Sequence, residues 1–355
     1  MASAVRSTTG STLGMDGNYN TNSVHQMAAI YASIPYIREA IDVLDISTSC
    51  PLFIIADFGA SHGLNSMRAM KMIIECLREA KMVDDEQQIL VVHNDLPTND
   101  WASLFEILST NTSYYGVASG RSFYDQCLPS NSLSIGYSSA SLHWLSRKPC
   151  NLSNHCYWMF AQDDELVAFK HQAQLDYAQF FERRSRELIS GGVLIVNIAY
   201  MDNLESTNFI NERNLLYKCA QTVLSPEQLL NFTFPVYQRS YAECVDRDLF
   251  ARCSLELIKA DIVRIESPQY ADFKDGQVTL DEFARSITET TRSWSQSVLR
   301  QALEINGKPS TTDDIIMAQF WTMYEQNVKE RPHEFNTCVC LMFLILKKAN
   351  AMEIK

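Results

Sequence analysis

The chain has 355 residues, with 30 Lys+Arg against 42 Asp+Glu and a formal net charge of −12. Its 46 % apolar and 20 % charged residues are enough for a sizeable core and exclude a disordered chain, and the length allows two domains or one large domain with an insertion. The acidic balance argues against a partner of nucleic acid, which requires a basic face, and no apolar run reaches the ~20 residues of a membrane span.

Residues 1–14 are rich in Ser, Thr and Gly without an apolar stretch, and read as a disordered leader rather than a secretory signal. Leu52-Phe53-Ile54-Ile55-Ala56 is a continuous apolar run ending at Asp57, the pattern of a strand buried on both faces. After the turn Gly59 to Gly63, Met67, Met70, Ile73, Ile74 and Leu77 form one stripe of a helix. Ile89-Leu90-Val91-Val92 is the next strand, running into Asn94-Asp95-Leu96-Pro97, and Tyr115–Ala118 and Ser132–Tyr137 read as a third and a fourth. A long helical pattern covers 163–189, Gly191-Gly192 is expected to stop it, and Val193-Leu194-Ile195-Val196 is again a buried strand.

Strand and helix alternate with short connections, which predicts a largely parallel sheet with helices on both faces over residues 15–202. Segments 203–235 and 276–334 read as a mainly helical cap. Residues 236–275 and 335–355, including the apolar run Cys338 to Leu346, return to the sheet. The ten cysteines are scattered, with only Cys338 and Cys340 close together, so reduced thiols in a cytoplasmic protein are expected.

Three groups of residues carry chemistry. Asp57-x-Gly59-x-x-x-Gly63 places an acid and two glycines between the first strand and its helix, where doubly wound folds receive nucleotide-like ligands; the alternative is an Asp that caps a turn. Asp95, just past the second strand, stands where such folds bind ribose hydroxyls; the alternative is an Asx turn ahead of Pro97. It lies farther from Asp57 than the ~20 residues of the dinucleotide fingerprint. Ribose recognition without a pyrophosphate cradle favours S-adenosylmethionine over NAD. His143 and Trp144 follow the fourth strand, and each ring can donate a hydrogen bond to an anion, though Trp144 also fits core packing.

At these positions the sequence resembles the SABATH family of small-molecule methyltransferases. The resemblance is carried by Asn22-Ser23-x-x-Gln26, Asp57-Phe-Gly-Ala-Ser61-His-Gly63-Leu-Asn65 and Asn94-Asp95-Leu96-Pro97-x-Asn99-Asp100. It continues through Ser122-Phe123-Tyr124, Ser138-Ser139-Ala-Ser141-Leu142-His143-Trp144-Leu145-Ser146 and Gly191-Gly192. It implies a Rossmann-like class I methyltransferase sheet with a helical cap, S-adenosylmethionine as methyl donor, and a carboxylic acid as substrate. Ser23, Asp57, Gly59, Asn65, Asp95, Leu96, Ser122 and Phe123 would hold S-adenosylmethionine, with Asp57 near its amino-acid portion, Asp95 at the ribose, and Ser122 and Phe123 at the adenine. Gln26 and Trp144 would grip the substrate carboxylate; Tyr19, His143, Tyr237, Ile287 and Phe335 would line the rest of the pocket. Family members are often homodimers, which is expected here on the same ground.

Departures from the family pattern accompany the matches. The glycine-rich opening is shortened to Met15-Asp16-Gly17-Asn18-Tyr19. Ala140 replaces an aromatic, which enlarges the pocket or leaves room for Tyr137 or Tyr19, and Tyr137 replaces a histidine. Where some members carry a magnesium site, only Asn154 remains beside Leu230-Asn231-Phe232-Thr233, so no metal is expected.

Because a carboxylate is already ionised near neutral pH, transfer of a methyl group to it requires alignment rather than a general base. The aromatic cap residues Phe283, Trp294, Phe320, Trp321 and Tyr324 would make the pocket suited to a small apolar acid, unless they pack the cap itself. Alternatives are N-methylation of a heterocycle and a catalytically silent S-adenosylmethionine-binding protein.

Overall fold

The computed structural model describes residues 13–15, 19–46, 52–111, 113–201, 207–304 and 311–350. A seven-stranded sheet runs through the molecule. Its strands are β1 (Leu52–Phe58), β2 (Gln88–Asp95), β3 (Tyr115–Gly120), β4 (Leu133–Ser139), β5 (Leu188–Ala199), β6 (Leu255–Glu266) and β7 (Cys338–Lys348), in the order β3-β2-β1-β4-β5-β7-β6. The first five are parallel, and β7 enters antiparallel between β5 and β6. The reversal of strand order between β1 and β4 leaves a crevice at the carboxyl ends of the strands, the place where open α/β sheets take ligands.

Both faces are covered, so the central strands are apolar on each side. Ile37 and Ile41 of the helix Ile34–Asp42 and Met70, Ile73 and Leu77 of Leu64–Glu79 pack on Phe53, Ile55, Ile89 and Val91. On the other face Tyr177, Phe180 and Phe181 of Asp163–Glu187 meet Ala56, Phe58, Val92 and Leu194. A third cluster joins the helices Thr207–Val223, Leu280–Leu303 and Thr311–Glu330 to the segment after β4. The helix Leu280–Leu303 starts at a capping box in which Thr279 and Glu282 each satisfy the other's backbone N–H.

Four strand expectations coincide with β1 to β4, and the run from Cys338 is β7. The role expected for Gly191-Gly192 is corrected. The helix ends at Glu187 and β5 begins at Leu188, so both glycines lie inside the strand, where its register with β4 shifts. Gly191 has φ +77° and its carbonyl accepts the Asp45 N–H; a Cβ there would stand 1.8 Å from the Asp45 carbonyl oxygen. It is the close passage of the 45–46 segment, not helix termination, that demands glycine. Of the leader, residues 1–12 lie outside the described residues; Gly14 is buried and its N–H donates to Thr98 Oγ1 at 3.0 Å.

Substituting Gly191→Ala is expected to destabilise the fold by at least about 2 kcal/mol, because left-handed strain adds to a backbone overlap that cannot be relieved by a rotamer. Urea unfolding of both proteins measures it.

Candidate active site

The crevice is shaped by side chains that satisfy the backbone at the strand ends. Past β1 the chain turns at Gly59 (φ +105°), where a Cβ would sit 2.1 Å from Ser141 Oγ. The glycine is therefore required by the protein's own turn after β4. The N–H groups of Gly59 and Ala60 both donate to the Asn94 carbonyl at 2.9 Å. The Asp95 carboxylate accepts the Ser61 N–H at 2.7 Å on one oxygen and the Leu96 N–H at 2.7 Å on the other. Asn94 Nδ2 reaches the carbonyls of Ser119 (2.9 Å) and Arg121 (2.8 Å), which directs the chain leaving β3 toward Ser122 and Phe123.

The opposite wall is a short antiparallel pairing between residues 143–145 and 235–237. Trp144 bridges to Val236, Leu145 N–H donates to the Pro235 carbonyl, and Tyr237 N–H donates to the His143 carbonyl at 2.8 Å. Tyr124 Oη donates to the Trp144 carbonyl at 2.6 Å. Arg239, only 2 % exposed, donates to the carbonyls of Leu142 and Ala173 at 2.7 Å each, fixing the turn that presents His143 and Trp144.

Between these walls lies a cavity of about 200 Å³ that opens to solvent. Among the expected cofactor residues, Gly59, Asp95, Leu96, Ser122 and Phe123 line it. Among the expected substrate residues, Tyr19, Gln26, His143, Trp144, Ile287 and Phe335 line the same cavity. Ser23, Asp57 and Asn65 stand behind the wall: Asn65 Nδ2 donates to Ser23 Oγ at 2.9 Å, and all three are buried. Tyr237 does not reach the cavity, because its ring packs on Trp158 at 4.2 Å and its hydroxyl donates to Glu243 at 2.8 Å. Of the cap aromatics only Trp294 lines the cavity; Phe283, Phe320, Trp321 and Tyr324 pack the cap. Ala140 lines it with Tyr19, whereas Tyr137 is turned into the core and bonded to Ser33 Oγ, so Tyr137 does not refill the space. Asp16–Asn18 lie outside the described residues, and Asn154 is exposed.

The electrostatics divide the cavity. Burial raises the Asp57 carboxyl to about 7, opposed by a hydrogen bond from Ser66 and assisted by the charge of Asp95. Burial also raises Asp95, against its two backbone hydrogen bonds. Burial lowers His143 to about 3, helped by the charges of Arg213 and Arg239, so its ring is neutral at physiological pH. Two desolvated carboxyls, Asp95 on the cavity and Asp57 behind its wall, are what a cationic ligand would ionise, and an Asp95 carboxylate held on both oxygens is oriented for hydroxyl donors. These features fit S-adenosylmethionine, a sulfonium carrying a ribose.

Comparison with known proteins decides the family. The sequence pattern of the family described as SAM dependent carboxyl methyltransferase matches residues 10–349. The chain belongs to this family of S-adenosylmethionine-dependent carboxyl methyltransferases. Similar curated proteins include farnesoic acid carboxyl-O-methyltransferase of Arabidopsis thaliana, 28% identical over 65% of this chain and 73% of that protein. Loganic acid O-methyltransferase of Catharanthus roseus is 26% identical over 63% of this chain and 67% of its own. The solved structure of a loganic acid methyltransferase with SAH shares the fold with a TM-score of 0.79 at 22% identity, covering 96% of this chain and 100% of that one. The carboxyl methyltransferase reaction is transfer of a methyl group from S-adenosylmethionine to a carboxylate, giving a methyl ester.

Two features of this methyltransferase escaped the sequence reading. The helices Val24–Ala32 and Ile34–Asp42, the first of which carries Gln26, were legible in the spacing of Ile30, Ile37, Ile41 and Leu44. The buried pair Arg184–Glu187, 2.7 Å apart and fully enclosed, had no local signal. Its guanidinium donates to the carbonyls of Phe123 and Asp125, and Glu187 accepts the N–H groups of Cys127 and Leu128. The loop bearing Ser122 and Phe123 is thus held from below.

Two outcomes are expected. Arg184→Ala leaves a buried carboxylate without its cation and lowers stability by roughly 3–5 kcal/mol in denaturant unfolding. For Asp57, the folded protein retains between about pH 4 and 7 a proton the unfolded chain has lost, so its contribution falls as pH rises through that window and is flat above it. Without ligand, the thermal midpoint of the wild type should therefore decline relative to that of Asp57→Asn from pH 4 to 7; parallel profiles would refute the assignment.

Proposed function

We propose that this methyltransferase esterifies a small carboxylic acid held by Gln26 and Trp144 against S-adenosylmethionine bound at the strand ends. The supporting observation is that residues expected to hold the cofactor and residues expected to hold the acid line one continuous cavity. Asp95 takes the ribose hydroxyls, and Ser122 and Phe123 face the adenine. Asp57, Ser23 and Asn65 support the site of the amino-acid portion from behind the wall. Tyr19, His143, Ile287 and Phe335 shape the rest of the acid's pocket, with Tyr237 bracing His143 through its backbone. The described residues of segments 203–235 and 276–334 act as the cap over those of the 15–202 core, with the described residues of 236–275 and 335–355 completing the sheet.

When bound, S-adenosylmethionine supplies a methyl group on a positively charged sulfur. The protein's share is positional. The acid arrives ionised, so no group must remove a proton. Gln26 amide and Trp144 indole N–H donors are neutral, and orient the carboxylate without an ion pair that would stabilise the ground state as strongly as the transition state. His143 is neutral as well, so no cation at this position competes for the nucleophilic oxygen. The cap excludes water from a carboxylate that must approach the methyl group along one line.

The reading extends to a cytoplasmic homodimer, supported by the family resemblance and by nine free cysteines among the described residues. No helix among them is long and apolar enough to cross a membrane.

Labelled S-adenosylmethionine presented with a panel of aromatic, terpenoid and fatty acids should give base-labile methyl ester. Trp144→Ala and Gln26→Ala should each lower that rate by about 10²-fold with cofactor affinity retained, whereas Asp95→Ala should lose cofactor binding itself. Label found only on nitrogen of a heterocycle would overturn the carboxylate assignment.

A further inference from the structure

Among the described residues, Arg184, Arg213 and Arg239 have guanidinium groups at least nine-tenths buried. Arg184 and Arg239 bind backbone carbonyls and lie away from the cavity. Arg213 differs: it lines the cavity together with its neighbour Glu212, both from the cap helix Thr207–Val223. Its Nη1 is 3.0 Å from Glu212 Oε1, and its guanidinium stacks on the rings of Trp294 (4.5 Å) and Tyr157 (4.9 Å). Thr291 Oγ1 donates to Glu212 Oε1 at 3.1 Å, fixing the carboxylate against the helix Leu280–Leu303. His143 Nδ1, buried on the same cavity, has no hydrogen-bond partner, and this ring senses the charge of Arg213.

An ion pair taken out of water for packing alone is commonly no better than apolar residues of the same volume. Here the cap already has an aromatic core, and the pair stands on its cavity face instead. The pair is close to neutral as a unit. It offers N–H donors from Arg213 beside acceptor oxygens of Glu212, so a second carboxylate would gain from one and be repelled by the other. A hydroxyl suits both, accepting from the guanidinium and donating to the carboxylate.

Resting on the carboxyl methyltransferase reading, we propose that the acid this enzyme esterifies carries a hydroxyl group away from its carboxylate, and that Arg213 and Glu212 recognise it. The carboxylate grip comes from the helix Val24–Ala32 and the turn after β4, whereas this pair comes from the cap, so the two polar groups of the substrate are read from different elements. The substrate is then an apolar skeleton with a polar mark at a defined place. A hydroxyl seated against this pair gains charge-assisted hydrogen bonds to both groups that the analogue lacking it cannot make, which is the basis of the discrimination.

The test is a comparison of kcat/KM for three acids of one skeleton: unsubstituted, hydroxylated at the end remote from the carboxylate, and bearing a second carboxylate there. Terpenoid and straight-chain sets are both used. The wild type should favour the hydroxy acid over both others by about tenfold or more in at least one set. Arg213→Met should collapse the ratio of hydroxy to unsubstituted acid toward unity. Glu212→Gln, which leaves the guanidinium uncompensated, should shift preference toward the diacid, a change that a merely structural role would not produce. Binding of the three acids to the protein loaded with S-adenosylhomocysteine, followed by calorimetry, should rank them in the same order. Methylation of all three acids without preference overturns this inference and leaves the carboxyl methyltransferase reading standing. Absence of methyl ester from every acid, with cofactor bound, overturns that reading and this inference together.

Discussion

The site depends on how the open carboxyl ends of β1, β2 and β3 are closed. Strands that stop at a crevice leave backbone groups facing a ligand rather than another strand, and each must find a partner. Two consecutive side chains, Asn94 and Asp95, do much of this. Asn94 ties β2 to the exit of β3, while Asp95 gathers the amides of Ser61 and Leu96 around its own carboxylate. An acid fixed in this way has its orientation set before any ligand arrives. The turn at Gly59, pressed against Ser141, carries the same constraint across to β4. The floor of the cavity is therefore rigid for reasons internal to the sheet.

From floor to cap, the site is organised by charge. The carboxyls of Asp57 and Asp95 are desolvated at the strand ends, where a cation is the natural complement. Neutral donors stand at the centre, around Gln26, His143 and Trp144. The Arg213–Glu212 pair faces them from the cap. This order matches a reaction in which a sulfonium and a carboxylate must meet without either being held too tightly by the protein. Buried arginines do the remaining mechanical work: Arg184 holds the loop after β3 from beneath, and Arg239 holds the turn that presents Trp144.

Legibility in the sequence follows the range of each interaction. Strands β1 and β2, the Gly59–Gly63 turn and Asp95 were readable because apolar runs and turn residues are local. β6 was harder to place as a strand: at the sheet edge it alternates Glu256, Lys259, Asp261 and Arg264 with apolar residues, and Lys259 pairs with Glu39 at 2.6 Å across to another element. The Gly191-Gly192 pair carried a true signal with a mistaken cause. Glycine marks a close approach as readily as a helix end, and only the position of Asp45 tells the two apart.

By itself, the sequence determined the α/β class, the acid and glycines at the strand ends, and the family, since these rest on periodicity and on short motifs whose residues act together along the chain. The tertiary structure alone decided which of those residues share a cavity. It put Tyr237 against Trp158 and Glu243 instead of in the pocket, enclosed four of the five cap aromatics in packing, and brought Arg213 and Glu212 to the cavity wall. The reason is that a side chain's direction in the cap is set by contacts between helices distant in sequence, and no local pattern specifies which face of a helix meets the core and which meets the ligand.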